Sequence, residues 1–303
     1  MTSSIIKTNG LEFSFTKQEK ILHSLDLDIP RGSIYGFLGP NGAGKTTTLK
    51  LLLGLLKIGR NPITLFGESL AENRLQLLRR IGSLIEQPSL YGHLTGKENL
   101  EVFRLAYRCK KERIDEVLNI VGLSHAANKK AKAYSLGMKQ RLAIAIALLH
   151  DPDVLILDEP TNGLDPTGII ETRELIVQLN KKFNKTILVS SHLLHEVEKI
   201  ATHVGIIHHG KLMFQGTLPE LQRMKSRFTT LEVEVDDIEN AQLLLANEQP
   251  VKQVGDFTLH MNVENRESLA AINSILVRNQ IKVYKLALVN NDLEDLFIQI
   301  ISA

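Results

Sequence analysis

Nine consecutive residues, Gly39-Pro40-Asn41-Gly42-Ala43-Gly44-Lys45-Thr46-Thr47, carry the densest chemical information in this 303-residue chain. The first eight fit the spacing G-x-x-x-x-G-K-[ST] without a gap, a match expected by chance in roughly one chain in a hundred of this length. In that pattern successive backbone N–H groups and a helix N-terminus face phosphate oxygens. Gly42 and Gly44 permit a backbone approach that a Cβ would block. Lys45 supplies a point charge to β- and γ-phosphates, and Thr46 offers a hydroxyl to Mg²⁺. A glycine-rich turn that binds nothing has no need of Lys and Thr at those two places.

A second centre lies at Val154-Leu155-Ile156-Leu157-Asp158-Glu159-Pro160, an apolar run ending in two acids. A strand there delivers both carboxylates to the C-terminal edge of a parallel sheet, where open α/β sheets bind ligands. Asp158 would hold Mg²⁺ through water, and Glu159 would orient and deprotonate an attacking water. Alone, such a pair also serves as a helix N-cap. The upstream phosphate loop makes the catalytic alternative the stronger one.

These groups need a frame, and the chain supplies an alternation of strand-like and helix-like stretches through its first two-thirds, the mark of a sheet covered by helices. Strands are expected at Ser33–Leu38, Val154–Leu157 and Thr186–Ser190, with a helix over Gly44–Leu56. Continuous apolar β-formers in the last two strands fit parallel strands covered on both faces. Residues 88–150 read as an inserted helical subdomain, with apolar spacing in Asn99–Arg108 and Arg113–Val121. After about Thr217 the texture changes to period-two alternation at Leu231, Val233 and Val235 and at Leu259, Met261 and Val263. Helices near Ile238–Glu248 and Glu264–Asn279, a short strand near Val251, a turn at Gly255-Asp256 and a last strand over Ile281–Val289 complete a β-α-β-β-α-β order. The expected fold is therefore an α/β P-loop core over residues 1–216 and a small α+β, ferredoxin-like domain over residues 217–303.

Composition narrows the function classes. A formal net charge of +2 with 23% charged residues gives no strongly basic surface for non-specific nucleic-acid binding. Lys129, Lys130 and Lys132 read as solvated charges. The single Cys109 has no internal disulfide partner and fits a reducing compartment. The first residues lack a secretory leader pattern. The longest apolar run, Leu142–Leu149, is far short of the roughly 20 residues that cross a bilayer. Any membrane role is expected to be peripheral.

Tyr134-Ser135-Leu136-Gly137-Met138-Lys139-Gln140-Arg141 resembles the signature motif of ABC ATPases, usually LSGGQ, followed by that family's QR helix. Asn162-Gly163-Leu164-Asp165-Pro166 is similar to its D-loop, and His192, just after the third strand, to its switch histidine. With the phosphate loop and the acidic pair, these elements fall in the family's order over about half the chain. The resemblance implies that ATP and Mg²⁺ are bound, that His192 contacts the γ-phosphate, and that Ser135, Gly137 and Asp165 complete the nucleotide site of an opposite subunit in an ATP-sandwich dimer. That dimer would be a homodimer or one with a paralogue. Phe15, some thirty residues before Lys45, stands where the family stacks an aromatic ring on adenine; a core phenylalanine is the alternative. His208 and His209 lack such support and read as surface turn residues beside Gly210.

The signature departs from the family at Tyr134, Leu136 and Met138. A further departure lies at Ile81-Gly82-Ser83-Leu84-Ile85-Glu86-Gln87-Pro88-Ser89-Leu90-Tyr91, where the family has a metal-contacting glutamine. Counting back from Pro-Ser-Leu-Tyr places Glu86 in that position, and a carboxylate there could ligate Mg²⁺ directly. A solvated loop acid beside a shifted Gln87 is the alternative. Glu86 and the following Leu94-Thr95-Gly96-Lys97-Glu98-Asn99-Leu100 resemble the ABC ATPases of bacitracin resistance and lantibiotic self-protection. The terminal Asn291–Phe297 stretch is similar to tails of chains whose permeases are separate six-helix proteins; a simple amphipathic closing helix is the alternative. The resemblance thus implies a motor at the cytoplasmic face of the plasma membrane, working under integral-membrane permease subunits that contact a peptide cargo, with no nucleic acid partner expected. Two other readings stay open: an ABC ATPase acting on ribosomes or nucleic acid, and an ATPase with a ligand-sensing C-terminal domain.

Overall fold

A computed structural model describes residues 3–16, 19–58, 62–86, 89–226, 229–246, 250–263, 266–289 and 300. The chain divides into two compact units, Met1–Leu218 and Pro219–Ala303. The terminal Asn291–Phe297 stretch lies outside the described residues, as do Gln87 and Pro88.

The first unit opens with β1 (Ser4–Thr8), the hairpin of β2 (Leu11–Ser14) and β3 (Lys20–Leu25), and β4 (Asp28–Pro30). It continues with β5 (Ile34–Leu38), α1 (Lys45–Leu52), β6 (Ile63–Leu65), β7 (Glu68–Ser69), α2 (Leu70–Leu78) and β8 (Ile81–Leu84). An antiparallel sheet of order β4-β1-β6-β7 forms from these early strands. Its strands are two to five residues long and only partly alternating, so the sequence carries little signal for them. Helix α1 ends four residues before the expected Leu56. Gly54 at φ 63° lets Leu55 N–H bond back to Lys50 O and Gly54 N–H to Leu51 O, the left-handed stop that closes many helices.

Next come α3 (Gly96–Tyr107), α4 (Glu112–Ile120) and α5 (Leu136–Leu148), the helical region expected within residues 88–150. Helix α3 starts three residues earlier than the apolar spacing suggested. Thr95 and Glu98 form a reciprocal capping box that satisfies two N–H groups there. The unit then runs through β9 (Val154–Asp158), α6 (Pro166–Phe183), β10 (Thr186–Ser191), α7 (Leu194–Glu198), β11 (His203–His208) and β12 (Lys211–Thr217). His209 and Gly210 make the turn between the last two strands.

The central sheet has the order β12-β11-β5-β10-β9-β8, parallel except for the edge strand β12. Every residue of β5, β9 and β10 is buried. Along β9, Leu155 and Leu157 enter a core beneath α4, α5 and α6, while Val154 and Ile156 enter a second core shared with α1, α2 and the antiparallel sheet. Two apolar faces explain why these strands read as continuous rather than alternating runs.

The second unit contains α8 (Leu218–Ser226, which begins at the boundary), β13 (Thr229–Val235), α9 (Ile238–Ala246), β14 (Val251–Gln253), β15 (Thr258–Val263), α10 (Arg266–Arg278) and β16 (Val283–Val289). Its sheet is antiparallel with the order β14-β15-β13-β16. The alternating Leu231, Val233, Val235 and Leu259, Met261, Val263 point into one core with Ala241, Leu245, Ile272 and Leu276. Among the described residues no helix is long and apolar enough to cross a membrane.

His150, just past α5, fastens the helical region to the sheet: its Nε2 lies 3.2 Å from the Ile81 carbonyl and its ring sits 4.6 Å from that of Tyr107. Burial holds this imidazole below its ordinary value, an effect that the Ile81 contact and Asp151 only partly offset. The unfolded chain therefore takes up the proton first, near 6.5. Stability is full above that pH and declines as pH falls below it. Asp151, held below the usual carboxylate range by a hydrogen bond from Lys185, acts only nearer pH 3.8. Denaturant midpoints at pH 7.5 and 5.5 should differ less in His150→Gln than in the unaltered chain; equal differences would exclude this role.

Candidate functional site

The site forms at the carboxyl ends of three adjacent parallel strands. Because β10 pairs with both β5 and β9, Ser190 stands opposite Phe37 on one side and Asp158 on the other. Residues separated by more than a hundred positions thus meet at one edge: the loop after β5, the acids ending β9 and the turn after β10.

The phosphate loop curls from Gly39 to the first turn of α1. Gly42 and Gly44 take φ of 81° and 107°, in the left-handed region that glycine occupies without strain. A Cβ on Gly44 would stand 2.8 Å from Leu22. Gly44 is also the N-cap of α1, with no side chain capping it and no acid in the first turn. The first N–H groups of the helix are thereby left for an anion. Phe15, Pro40, Asn41, Gly42, Gly44, Lys45, Thr46, Thr47, Glu159, Asn162 and His192 line one cavity of about 540 Å³. Gly39 and Ala43 belong to the loop but do not line it.

Lys45 is 6% exposed, so its ammonium must be compensated. Its Nζ donates to Gly39 O at 2.7 Å and Pro40 O at 3.3 Å, and it lies 3.3 Å from Glu159 Oε1. The other carboxylate oxygen, Oε2, lies 2.9 Å from His192 Nδ1. A carboxylate only accepts, so this ring nitrogen carries the proton. The far ring nitrogen can then donate to an anion only when the ring holds both protons. Lys45, Glu159 and His192 form a continuous chain across the cavity.

Thr46 Oγ1 donates to Asp158 Oδ2 at 2.8 Å. Asp158 is 5% exposed and sits behind the cavity lining. Glu159 holds φ at 47°, a left-handed conformation that costs a non-glycine residue about 1–2 kcal/mol. Its N–H bonds to Ser190 O at 3.2 Å and Ser190 Oγ at 2.9 Å.

Phe15 is 59% exposed and so is no core residue. Its ring stands edge-on to Phe13, 4.9 Å between centroids, at the cavity wall. Glu86 is not brought into the cavity. Its carboxylate pairs with Lys50 at 2.6 Å, one helical turn along α1 from Thr46, in an exposed position.

Ser135, Gly137 and Asp165 lie outside the cavity as well. Ser135 caps α5 by accepting from Met138 N–H at 3.2 Å, and Asp165 caps α6 by accepting from Gly168 N–H at 3.0 Å. The two helix starts adjoin, since a Cβ on Gly163 would lie 3.3 Å from Leu136. Tyr134, where the signature departs, is buried beneath them and donates to Ala126 O at 2.7 Å. That residue ties the signature to the helical region.

Sequence reasoning missed Asn162 as a cavity residue and Ser190 as a partner of both acids. Asn162 was within reach, being in the turn that starts at Glu159, where its N–H bonds to Glu159 O at 3.1 Å. Ser190 is one of three polar residues in β10, and only the register of that strand reveals its neighbours.

Comparison with known proteins places this geometry in a family. A family model described as ABC transporter matches residues 22–162. The bacitracin transport ATP-binding protein BcrA of Bacillus licheniformis is 44% identical over 99% of this chain and 98% of its own length. Its namesake from Enterococcus faecalis is 37% identical over 98% and 96%, and the lantibiotic transport ATP-binding protein SrtF of Streptococcus pyogenes 43% over 70% and 90%. Among solved structures, cbiO1 from Clostridium perfringens, part of an ABC transporter complex, covers 81% of this chain and 97% of its own at 27% identity and a TM-score of 0.68. A dimeric ATP-binding cassette, MJ0796, in a post-hydrolysis state with ADP and Pi covers 70% and 98% at 26% identity and 0.62. The chain belongs to the ATP-binding subunits of ABC transporters. Within them it is an ATP-hydrolysing motor subunit related to the bacitracin and lantibiotic transport ATPases.

A hydrogen bond to a charged partner contributes about 1.5–3 kcal/mol. Lys45→Met should therefore weaken ATP binding roughly 10- to 100-fold with the fold retained, as read by fluorescent-nucleotide titration and circular dichroism. Unchanged affinity would remove Lys45 from the site.

Proposed function

We propose that Glu159 is the general base of ATP hydrolysis, with Lys45 and His192 setting the charge around it. The observation that carries this reading is the Glu159 carboxylate lodged between Lys45 Nζ and His192 Nδ1 in the phosphate-loop cavity. A triphosphate drawn to the loop N–H groups competes with Glu159 for the Lys45 ammonium. That competition frees a carboxylate oxygen to accept a proton from water. His192, oriented by the same carboxylate, faces the terminal phosphate. Phe15 offers its exposed face to the base, and Pro40, Asn41 and Thr47 shape the cradle.

Thr46 and Asp158 fit a Mg²⁺ site, since both present hard oxygen atoms and their contact places them side by side. When bound, the ion neutralises charge on the β- and γ-phosphates. Glu86 would join it only after leaving Lys50.

Ser135, Gly137 and Asp165 are best used by a second subunit. They sit at helix starts outside the cavity, so a nucleotide that they reach belongs to another copy. A homodimer or a dimer with a paralogue would close around two ATP molecules. We assign integral-membrane permeases as the other partners, with the motor at the cytoplasmic face of the plasma membrane. A bacitracin- or lantibiotic-type peptide is the cargo, contacted by the permeases. Near-full-length identity to a bacitracin transport ATPase supports that cargo class. We assign residues 217–303, set off by their change of texture, to a ferredoxin-like domain, a reading that the sheet order β14-β15-β13-β16 supports.

Glu159→Gln should lower turnover roughly 10²–10⁴-fold, the usual size of general-base catalysis, while retaining ATP. With ATP this variant should migrate as a dimer in size-exclusion chromatography, and Ser135→Arg should return it to monomer. Wild-type turnover would sink the base assignment, and a nucleotide-independent dimer the sandwich. Deleting the gene should lower the inhibitory concentration of bacitracin or a lantibiotic, restored by the unaltered chain and not by Glu159→Gln. Unchanged sensitivity to both would discard the cargo class and leave the ATPase standing.

A further inference from the structure

Ser190 is fully buried in the penultimate position of β10, between the strands that carry the phosphate loop and the acids. Its side chain makes two contacts of opposite sense. The hydroxyl proton goes to Asp158 Oδ1, and the hydroxyl oxygen accepts the Glu159 N–H at 2.9 Å. A hydroxyl is the smallest side-chain group that donates and accepts at once. Asp158 is then held at both oxygens, by Ser190 on one and Thr46 on the other.

We infer that Ser190 is a positioning residue for hydrolysis: its hydroxyl ties Asp158 to the backbone of Glu159 and so fixes both acids together. This rests on the reading of Glu159 as general base. The geometry explains why a link is needed. Glu159 occupies a left-handed conformation, which costs a non-glycine residue energy that surrounding contacts must offset. Its N–H is the restrained atom, held by Ser190 through both carbonyl and hydroxyl. Removing the hydroxyl leaves only the longer carbonyl contact, at 3.2 Å, and leaves Asp158 Oδ1 buried with one donor fewer.

The turn beyond Glu159 is held on its far side too. The Thr161 hydroxyl donates to Glu196, a buried carboxylate on α7. Restrained at Ser190 and at Thr161, the segment 159–161 presents the Glu159 carboxylate to Lys45 and His192 in one orientation. Ser190 touches neither nucleotide nor water in this scheme and acts through the acids alone.

The test compares Ser190→Ala with Ser190→Thr, which keeps the hydroxyl, on the full chain. Multiple-turnover hydrolysis at saturating Mg-ATP, ATP affinity and thermal midpoint are measured for each. Ser190→Ala should lower kcat roughly tenfold, about 1.4 kcal/mol in the barrier, with ATP affinity within about threefold of the unaltered chain. Ser190→Thr should recover most of that loss. In the Glu159→Gln background, single-turnover hydrolysis should respond to Ser190→Ala by less than about twofold, because groups acting as a unit are not additive.

Unaltered kcat in Ser190→Ala overturns the inference. So does an equal loss in the Thr and Ala variants with both folded, or a full tenfold further loss in the Glu159→Gln background, because packing alone would produce either. The two readings fail separately. Normal turnover in Glu159→Gln defeats the general base, whereas normal turnover in Ser190→Ala beside an impaired Glu159→Gln defeats only the positioning role.

Discussion

Everything in the nucleotide site depends on the register of β10 between β5 and β9. Fully buried strands have no solvent face to absorb an error, and a slip of one residue would exchange the two cores into which their alternate side chains point. The same register sets Ser190 beside Asp158, His192 beyond the strand end and the phosphate loop on the other flank. Packing of Ile187, Leu188 and Val189 therefore fixes chemistry at atoms none of them touches. Apolar fit below the edge is what permits strained and charged groups above it.

Charge at that edge is arranged as a chain rather than a set of pairs. The buried ammonium of Lys45 is shared between two carbonyls and Glu159, and Glu159 is shared between Lys45 and His192. Asp158, just as buried as Lys45, is satisfied by hydroxyls and stays outside this chain. Lys45 is thus a cation whose partner can be exchanged for another anion, and Asp158 an acid whose partners are neutral. The first can be rewired by charge alone, while the second keeps its place.

How far the sequence revealed this follows from the range of each interaction. The phosphate loop and the two acids were legible, because their chemistry is local: glycines, Lys45 and Thr46 in one turn, Asp158 and Glu159 at one strand end. The alternation at Leu231, Val233 and Val235 was legible for the same reason. The end of α1 was misjudged by four residues because apolar spacing outweighed Gly54, and the early antiparallel sheet escaped because its strands are only two to five residues long. Glu86 was placed by counting along a motif, yet its carboxylate lies with Lys50, a partner set by how β8 and α1 pack. Ser190 had no local signal at all.

The separation of Ser135, Gly137 and Asp165 from the cavity has the same origin. Two helix starts, capped by Ser135 and Asp165, are carried on α5 and α6, which pack beside each other on one face of the central sheet. Tyr134 anchors that pair of helix starts to the helical region by donating to Ala126 O, and its hydroxyl would meet any Cβ placed on Gly96 at 2.2 Å. The start of α3 and the residue just ahead of Ser135 are therefore in direct packing contact. The cavity itself hangs from β5, β9 and β10. One sheet thus carries the cavity, a helical layer carries the helix starts of Ser135 and Asp165, and a close-packed aromatic contact couples the latter to the rest of the helices.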